Sequence, residues 1–436
     1  MKTIISTSLM LIVLTWTPAR APAQNLVSQE PPGEINTVPG PQEERWIALS
    51  GATLIDGTGN PPIQDSVVLI RGNRITAAGP RTATPVPAGA EVQDVSGLYL
   101  LPGLIDAHFH LSNHNLPSLF LQNGVTSIRD PGGAWFDTYD PVLNLDRAIP
   151  RIFINGPHID MFPPAYPSDA VLVRDPMETA RTVNRWIDLG ASAIKVYFRL
   201  SLDLIRVACE TAHKRGVPVT AHLEIVPADQ AIEAGLDGIE HITSVGSALI
   251  PDRAAETYRR EMLADNNYRR AGRYRMWESI DLQDPRVSKL LQLMVERGVI
   301  LSPTLAVFER QANDPKVEEV EARAFQKMVE FTGMAAKAGV KVVVGSHSSV
   351  PYAKEGKAYF REMELLVESG LTPMQVIQGA TSLNARFFRM SDRLGTIDSG
   401  KIADLILIDG NPLKDIRNMR RVQRVMLNGR WVTESE

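Results

Sequence analysis

Leu100-Leu101-Pro102-Gly103-Leu104-Ile105-Asp106-Ala107-His108-Phe109-His110-Leu111 is an apolar run that ends in two histidines one residue apart. A strand alternates its faces with period two, so His108 and His110 share one face while Phe109 takes the other. Two imidazoles then converge on one point. In a closed parallel barrel that point is the interior at the C-terminal end of the strand, where such barrels carry their chemistry. A metal ion is the usual reason for imidazoles to gather there. The plainer alternative is a hydrogen-bonded pair of histidines at a polar strand end.

Downstream, apolar strand-like runs alternate with helical patterns, the signature of βα units around a parallel sheet. Counting 104–110 as the first, the runs are 125–129, 151–155, 193–198, 217–222, 238–241, 299–303 and 341–345, eight in all. Several follow a helix ending in glycine, as at Gly190, Gly216, Gly235, Gly298 and Gly339, where a left-handed C-cap is expected. Eight such units predict a (β/α)8 TIM barrel over 102–393. The longest interruption, 242–296, follows the sixth strand and so belongs to the catalytic face. It carries Arg253, Arg259, Arg260, Arg269, Arg270, Arg273 and Arg275. These could meet an anionic substrate group, but a solvated helix balanced by Glu256, Glu261 and Asp265 is the preferred reading for most of them.

The chain ends have a different texture. Short β-rich pieces fill 46–101 and recur over 394–436, and neither piece is large enough to close a core alone. They are expected to pair into one small β-sandwich, so that the fold class is α/β: a barrel inserted between the halves of a composite sandwich. A Pro/Gly-rich leader over 24–45 is expected to be flexible. Over 1–23, Lys2, an apolar stretch and Ala21-Pro22-Ala23 read as a signal peptide, too short to span a bilayer with confidence. The chain is thus expected to be exported, periplasmic or secreted. Loss of Lys2 and Arg20 would leave 44 basic against 50 acidic residues, a net charge of −6, which favours neither nucleic acid nor an anionic membrane as partner. Cys209 is the only cysteine, so no intramolecular disulfide can form.

The eight histidines gather at strand ends. His108 and His110 close the first strand, His222 the fifth and His241 the sixth; His347 follows the eighth, and His114 and His158 fall in loops on the same face. Only His213, in a predicted helix, lies elsewhere. On the fourth strand, Ile194, Val196 and Phe198 share one face, which turns Lys195 and Tyr197 inward. A buried ammonium needs a partner, for which Asp130 is one candidate. The alternative is that burial lowers its pKa, the neutral amine captures carbon dioxide, and the carbamate bridges two metals.

Taken together, residues 102–110, Lys195, His222, Glu240-His241, Thr372-Pro373-Met374, Gly379-Ala380-Thr381 and Gly395 through Leu405 resemble the amidohydrolase superfamily. Within it the likeness is to the imidazolonepropionase-like and Xaa-Pro dipeptidase-like branch, and it covers about 46–431. The resemblance implies a hydrolase of amide, cyclic amide or dipeptide-like bonds with two zinc ions, one held by His108 and His110, the other by His222 and His241, joined by carboxylated Lys195. It also implies an aspartate after strand eight as ligand and proton acceptor. Here Gly345-Ser346-His347 puts His347 in that place as the candidate catalytic residue, making the site more positive by one unit. Tyr197, His158 and Asp130 are candidate substrate contacts, Glu224 could orient a ligand imidazole, and Thr304 could touch substrate. The rival expectation is a degenerate barrel that binds a small molecule without turning it over. The expected partner is a small amide or dipeptide-like substrate for the hydrolase and a small molecule for the rival, and a homo-oligomer is compatible with both.

Overall fold

The computed structural model describes residues 32–110, 116–143, 148–347, 349–354 and 356–432. The expected signal peptide and His114 lie outside the described residues. Among those residues the chain is mostly α/β, with parallel sheets at its centre. Parallel strands stand where each apolar run was read: β1 (Leu104–Asp106), β2 (Val125–Asp130), β3 (Arg151–Ile154), β4 (Ile194–Val196), β5 (Val219–Ala221), β6 (Gly238–Glu240), β7 (Ile300–Ser302) and β8 (Lys341–Val342). They are buried along nearly their whole length, as strands covered on both faces must be. The intervening helices end as expected: Gly190, Gly216, Gly235, Gly298 and Gly339 all have positive φ.

The parallel strands form two arcs, β1-β2-β3 and β4 through β8. Two short strands not foreseen extend the second arc: His158–Asp160 pairs with β4 through Ile159 and Val196, and on its other side with Ala170–Leu172. The extended segment 151–160 is therefore one strand broken at Gly156-Pro157: its first half belongs to one arc and its second half to the other. Ser192 N–H donates to Ile154 O across that break at 2.8 Å, and at the other seam Ala107 N–H donates to Val344 O at 3.0 Å. The 242–296 interruption is two things. Its last part is the ordinary crossover helix Pro285–Arg297, while Asp252–Ala264 and Arg269–Ser279 are extra helices.

The two chain ends meet in one five-stranded sheet, in which Leu405–Asp409 runs antiparallel to Leu98–Pro102 and Thr53–Leu54 sits at the edge. A four-stranded sheet from residues 46–94 lies against it, and Ile47, Leu49, Val68 and Ile70 share a core with Leu100, Leu405, Leu407 and Met426. The leader differs from expectation from residue 32 onward. It lacks helix or strand, as its prolines dictate, but it is pinned: Glu34 bridges Arg151 (2.7 Å) and Arg393 (2.8 Å), and Asn36 pairs with Pro150 O and Ile152 N. Among the described residues no helix is long and apolar enough to cross a membrane.

Candidate metal centre

The C-terminal ends of the parallel strands face a cavity of about 610 Å³ lined by His108, His110, Lys195, His222, His241 and His347, among others. The ring centroids of His108 and His241 are 4.4 Å apart, those of His222 and His241 4.7 Å, and those of His108 and His110 5.1 Å. His347 lies 5.4 Å from both His108 and His110. One nitrogen from each of His108, His110 and His347 falls within 4.8 Å of the others, close enough to share an ion. Backbone strain accompanies the cluster. His241, Thr304 and His347 have φ of 68°, 48° and 63°, a region costing about 1 to 3 kcal/mol for a side-chain-bearing residue and tolerated mainly where the surroundings impose it. Gly345 lets the eighth strand approach, since a Cβ there would lie 2.7 Å from the His108 Cβ.

Four imidazoles each commit one ring nitrogen to a protein partner. His108 Nδ1 pairs with Glu240 Oε2 at 2.8 Å, His110 Nδ1 with Asp130 Oδ1 at 3.0 Å, His222 Nε2 with Glu224 Oε1 at 3.2 Å, and His241 Nδ1 with Thr304 Oγ1 at 2.7 Å. Such partners fix ring orientation and tautomer, as they do around bound metals. Among the described residues, His108 Nε2, His222 Nδ1 and His347 Nδ1 are buried without a hydrogen-bond partner. A buried nitrogen left unpaired is costly unless something else completes it.

The electrostatics keep the rings of His108, His222, His241 and His347 neutral, the form that ligates. Burial, reinforced by neighbouring cations, depresses His108 and His241 well below the usual imidazole range, His222 to about 4 and His347 to about 3. Burial also lowers Lys195 to about 8, with Glu240 and Asp130 opposing and Arg129 assisting. The Lys195–Asp130 ion pair, one of the two alternatives open to this lysine, is not formed: among the described residues Lys195 has no ion-pair partner, and Asp130 pairs with His110. Glu240 is instead clamped at 2.5 Å by Arg129, itself fully buried and also donating to Ala107 O.

The other named residues divide. Tyr197 lines the cavity and stacks on His158 at 4.1 Å; His158 is buried, pairs with Gly132 O and leaves Nε2 unpartnered. Asp130, read as a substrate contact, has its carboxylate occupied: Oδ1 accepts from His110 and Gly132 N, and Oδ2 from Tyr139. It acts through His110. Thr304 likewise serves His241. Glu224 holds His222 as expected and also accepts from Tyr258 at 2.6 Å. Burial pushes the Glu224 carboxyl up, but Arg273, His222 and Tyr258 outweigh it and hold it below the usual range. His213 pairs with Asp237, in keeping with its separate placement. Sequence reasoning missed the role of Glu240, whose neighbour His241 drew the attention, and the placement of Arg269 and Arg273 in the cavity wall.

A family model described as the amidohydrolase family matches residues 99–432. The chain is similar to ochratoxinase of Aspergillus niger, at 24% identity over 451 aligned positions covering 86% of this chain and 83% of that protein. It is similar to imidazolonepropionase of Caulobacter vibrioides over a short stretch, 46% identical across 67 residues, which spans only 17% of that relative's length. A crystal structure of a Xaa-Pro dipeptidase with bound methionine in the active site matches with a TM-score of 0.68 at 22% identity, covering 88% of this chain and 99% of that chain.

Proposed function

This chain belongs to the amidohydrolase family, and from that premise we propose that it is a metal-dependent hydrolase of a carbon–nitrogen bond in a small amide, cyclic amide or dipeptide-like substrate. One observation carries the reading. His108, His110, His222 and His241 each hold one ring nitrogen against a protein partner while lining the same cavity. The orphaned nitrogens of His108 and His222 fit a bound cation. We assign zinc, in two ions: His108 and His110 for one, His222 and His241 for the other, with carboxylated Lys195 between them. At a pKa of about 8 a useful fraction of Lys195 is neutral amine able to add carbon dioxide and release a proton. The bound ions would supply a hydroxide nucleophile near neutral pH and polarise the scissile carbonyl.

The chain's own residues do the rest. Glu240, Asp130, Glu224 and Thr304 orient the imidazoles. Tyr197, whose phenol burial holds well above its usual range, stays protonated and can donate to substrate oxygen. His347 offers a buried Nδ1 as ligand or proton acceptor. Its lack of a carboxylate is also the one feature favouring the rival reading, a degenerate member that binds a small molecule without turnover. Hydrogen bonds across both seams support closure of the arcs into a (β/α)8 barrel, and the shared core supports the two end sheets as a β-sandwich. Export to the periplasm or medium belongs to the same reading, on the strength of residues 1–23.

Metal analysis of the purified protein, followed by assay of the zinc-loaded form against N-acyl amino acids, Xaa-Pro dipeptides and lactams, tests this. Two equivalents of zinc with turnover are expected. A protein that takes up no metal and hydrolyses none of them is the rival.

A further inference from the structure

Part of the cavity wall comes from the extra helix Arg269–Ser279, which presents Arg269 and Arg273 one turn apart on the same face. Arg269 is only 3% exposed. Its guanidinium lies over the rings of Tyr166 and Phe198, at 5.1 and 5.8 Å, and donates through Nη1 to Asn266 O and through Nη2 to the Tyr166 hydroxyl. Both acceptors are neutral. Among the described residues no carboxylate pairs with it. Arg273 stacks over Phe308 at 5.3 Å, and its Nη2 stands 3.4 Å from Glu224, whose charge is already shared with His222 and Tyr258. Both arginines act electrostatically on Tyr197, and Arg273 also on His222 and His347, so their charge reaches the reacting end of the cavity.

Burying a cation without an anion is costly, and the balance here is one-sided. Lys195, Arg269 and Arg273 face the cavity; of the two acids in its wall, Asp130 is occupied by His110 and Tyr139, and Asp169 accepts from Ser168. A guanidinium has five N–H donors in a planar fork, and among the described residues only two of Arg269's are used. That fork matches a carboxylate, and the stacking on Tyr166 and Phe198 fixes its plane in advance. We propose that Arg269, assisted by Arg273, binds a free carboxylate on the substrate, so that this hydrolase acts on N-acyl amino acids and dipeptide-like acids rather than neutral lactams or amides. The inference rests on the hydrolase reading and narrows it.

The test compares hippuric acid and N-benzoyl-phenylalanine with their primary amides, reading benzoate release by zinc-loaded protein, in wild type, Arg269→Gln, Arg269→Lys and Arg273→Gln. Wild type should favour each acid over its amide by roughly tenfold or more in kcat/KM. Arg269→Gln should collapse that ratio to near one, mainly through KM, and Arg269→Lys should lower it several-fold because a point charge cannot fork. A wild type indifferent to acid or amide, or a ratio that survives in both Arg269 variants, overturns the assignment while leaving the hydrolase intact. If Arg269→Gln does not fold, Arg269→Lys decides alone, and an unchanged ratio there is the overturning result. If no compound is cleaved, the hydrolase reading fails separately. Calorimetric binding of the same acids and amides then takes over, with preference for the acid weakened by Arg269→Lys supporting the anchor and equal affinities overturning it.

Discussion

His347 occupies a position of consequence because the strained backbone at φ 63° and the approach permitted by Gly345 bring its ring within 5.4 Å of both His108 and His110. A neutral imidazole there adds no negative charge to a pocket that already holds Lys195 and two arginines. With zinc supplied, His347→Asp is expected to raise hydrolysis of N-acyl amino acids by roughly 10²-fold, within the range of a well-placed general base. An unchanged or slower rate would remove His347 from the catalytic position. Thr304 gives a milder probe. Thr304→Val keeps the shape but removes the hydroxyl from His241 Nδ1, and zinc affinity measured by chelator competition should fall by about 10- to 100-fold.

Asp160 carries the pH dependence of stability that is easiest to isolate. Burial raises its carboxyl to about 7 despite backbone donors that include Arg199 N at 2.9 Å, and among the described residues Oδ2 has no partner. Below its unfolded value of 3.8 both states hold the proton and its contribution is fully present. Between there and about 7 only the folded state keeps the proton, so stability falls as pH rises, by up to about 1.4 kcal/mol per unit. Asp160→Asn should flatten that stretch of a stability profile measured by urea unfolding. A profile that keeps the wild-type slope would show that Asp160 is ionised in the folded protein.

At the scale of elements, the strand pattern was legible because the buried parallel strands are short runs rich in apolar residues and the helices before β4 through β8 each end near a glycine of positive φ. The break in the third strand was not legible. Gly156-Pro157 reads equally well as the end of a strand or as a kink within one, and only the pairing of Ile159 with Val196 distinguishes them. Arg269 did not stand out for a related reason: seven arginines in a polar stretch look solvated, and burial of one among aromatic rings is a tertiary fact. The leader was read from its prolines, which forbid regular structure but do not forbid docking. Its anchor, Arg151, also meets Asp404 at 2.9 Å and Asn428 at 3.1 Å, joining leader, central strand and C-terminal sheet. Removing the acid leaves a buried guanidinium short of its charge partner. Asp404→Ala should therefore cost about 3 to 5 kcal/mol in chemical denaturation, and a loss below 1 kcal/mol would show that Glu34 suffices.

Across the whole molecule, the candidate site was more legible than its selectivity. Histidines recur at strand ends with a spacing that topology alone turns into convergence, whereas the orienting set of Glu240, Asp130, Glu224 and Thr304 draws one member from each of four separate loops or strands and has no local signature. The same distribution makes the site depend on both arcs of strands.

The pairing of Leu98–Pro102 with Leu405–Asp409 has a consequence for biosynthesis. A ribosome adding about 5 to 20 residues per second needs roughly 15 to 60 s after residue 102 to deliver the last strands. Through that interval the apolar faces of residues 47–100 lack their eventual cover, and the nascent chain presents unpaired edges to whatever surrounds it. That sheet is thus completed only when synthesis is nearly over, an exposure that a chain closing its sheets in order of synthesis would escape.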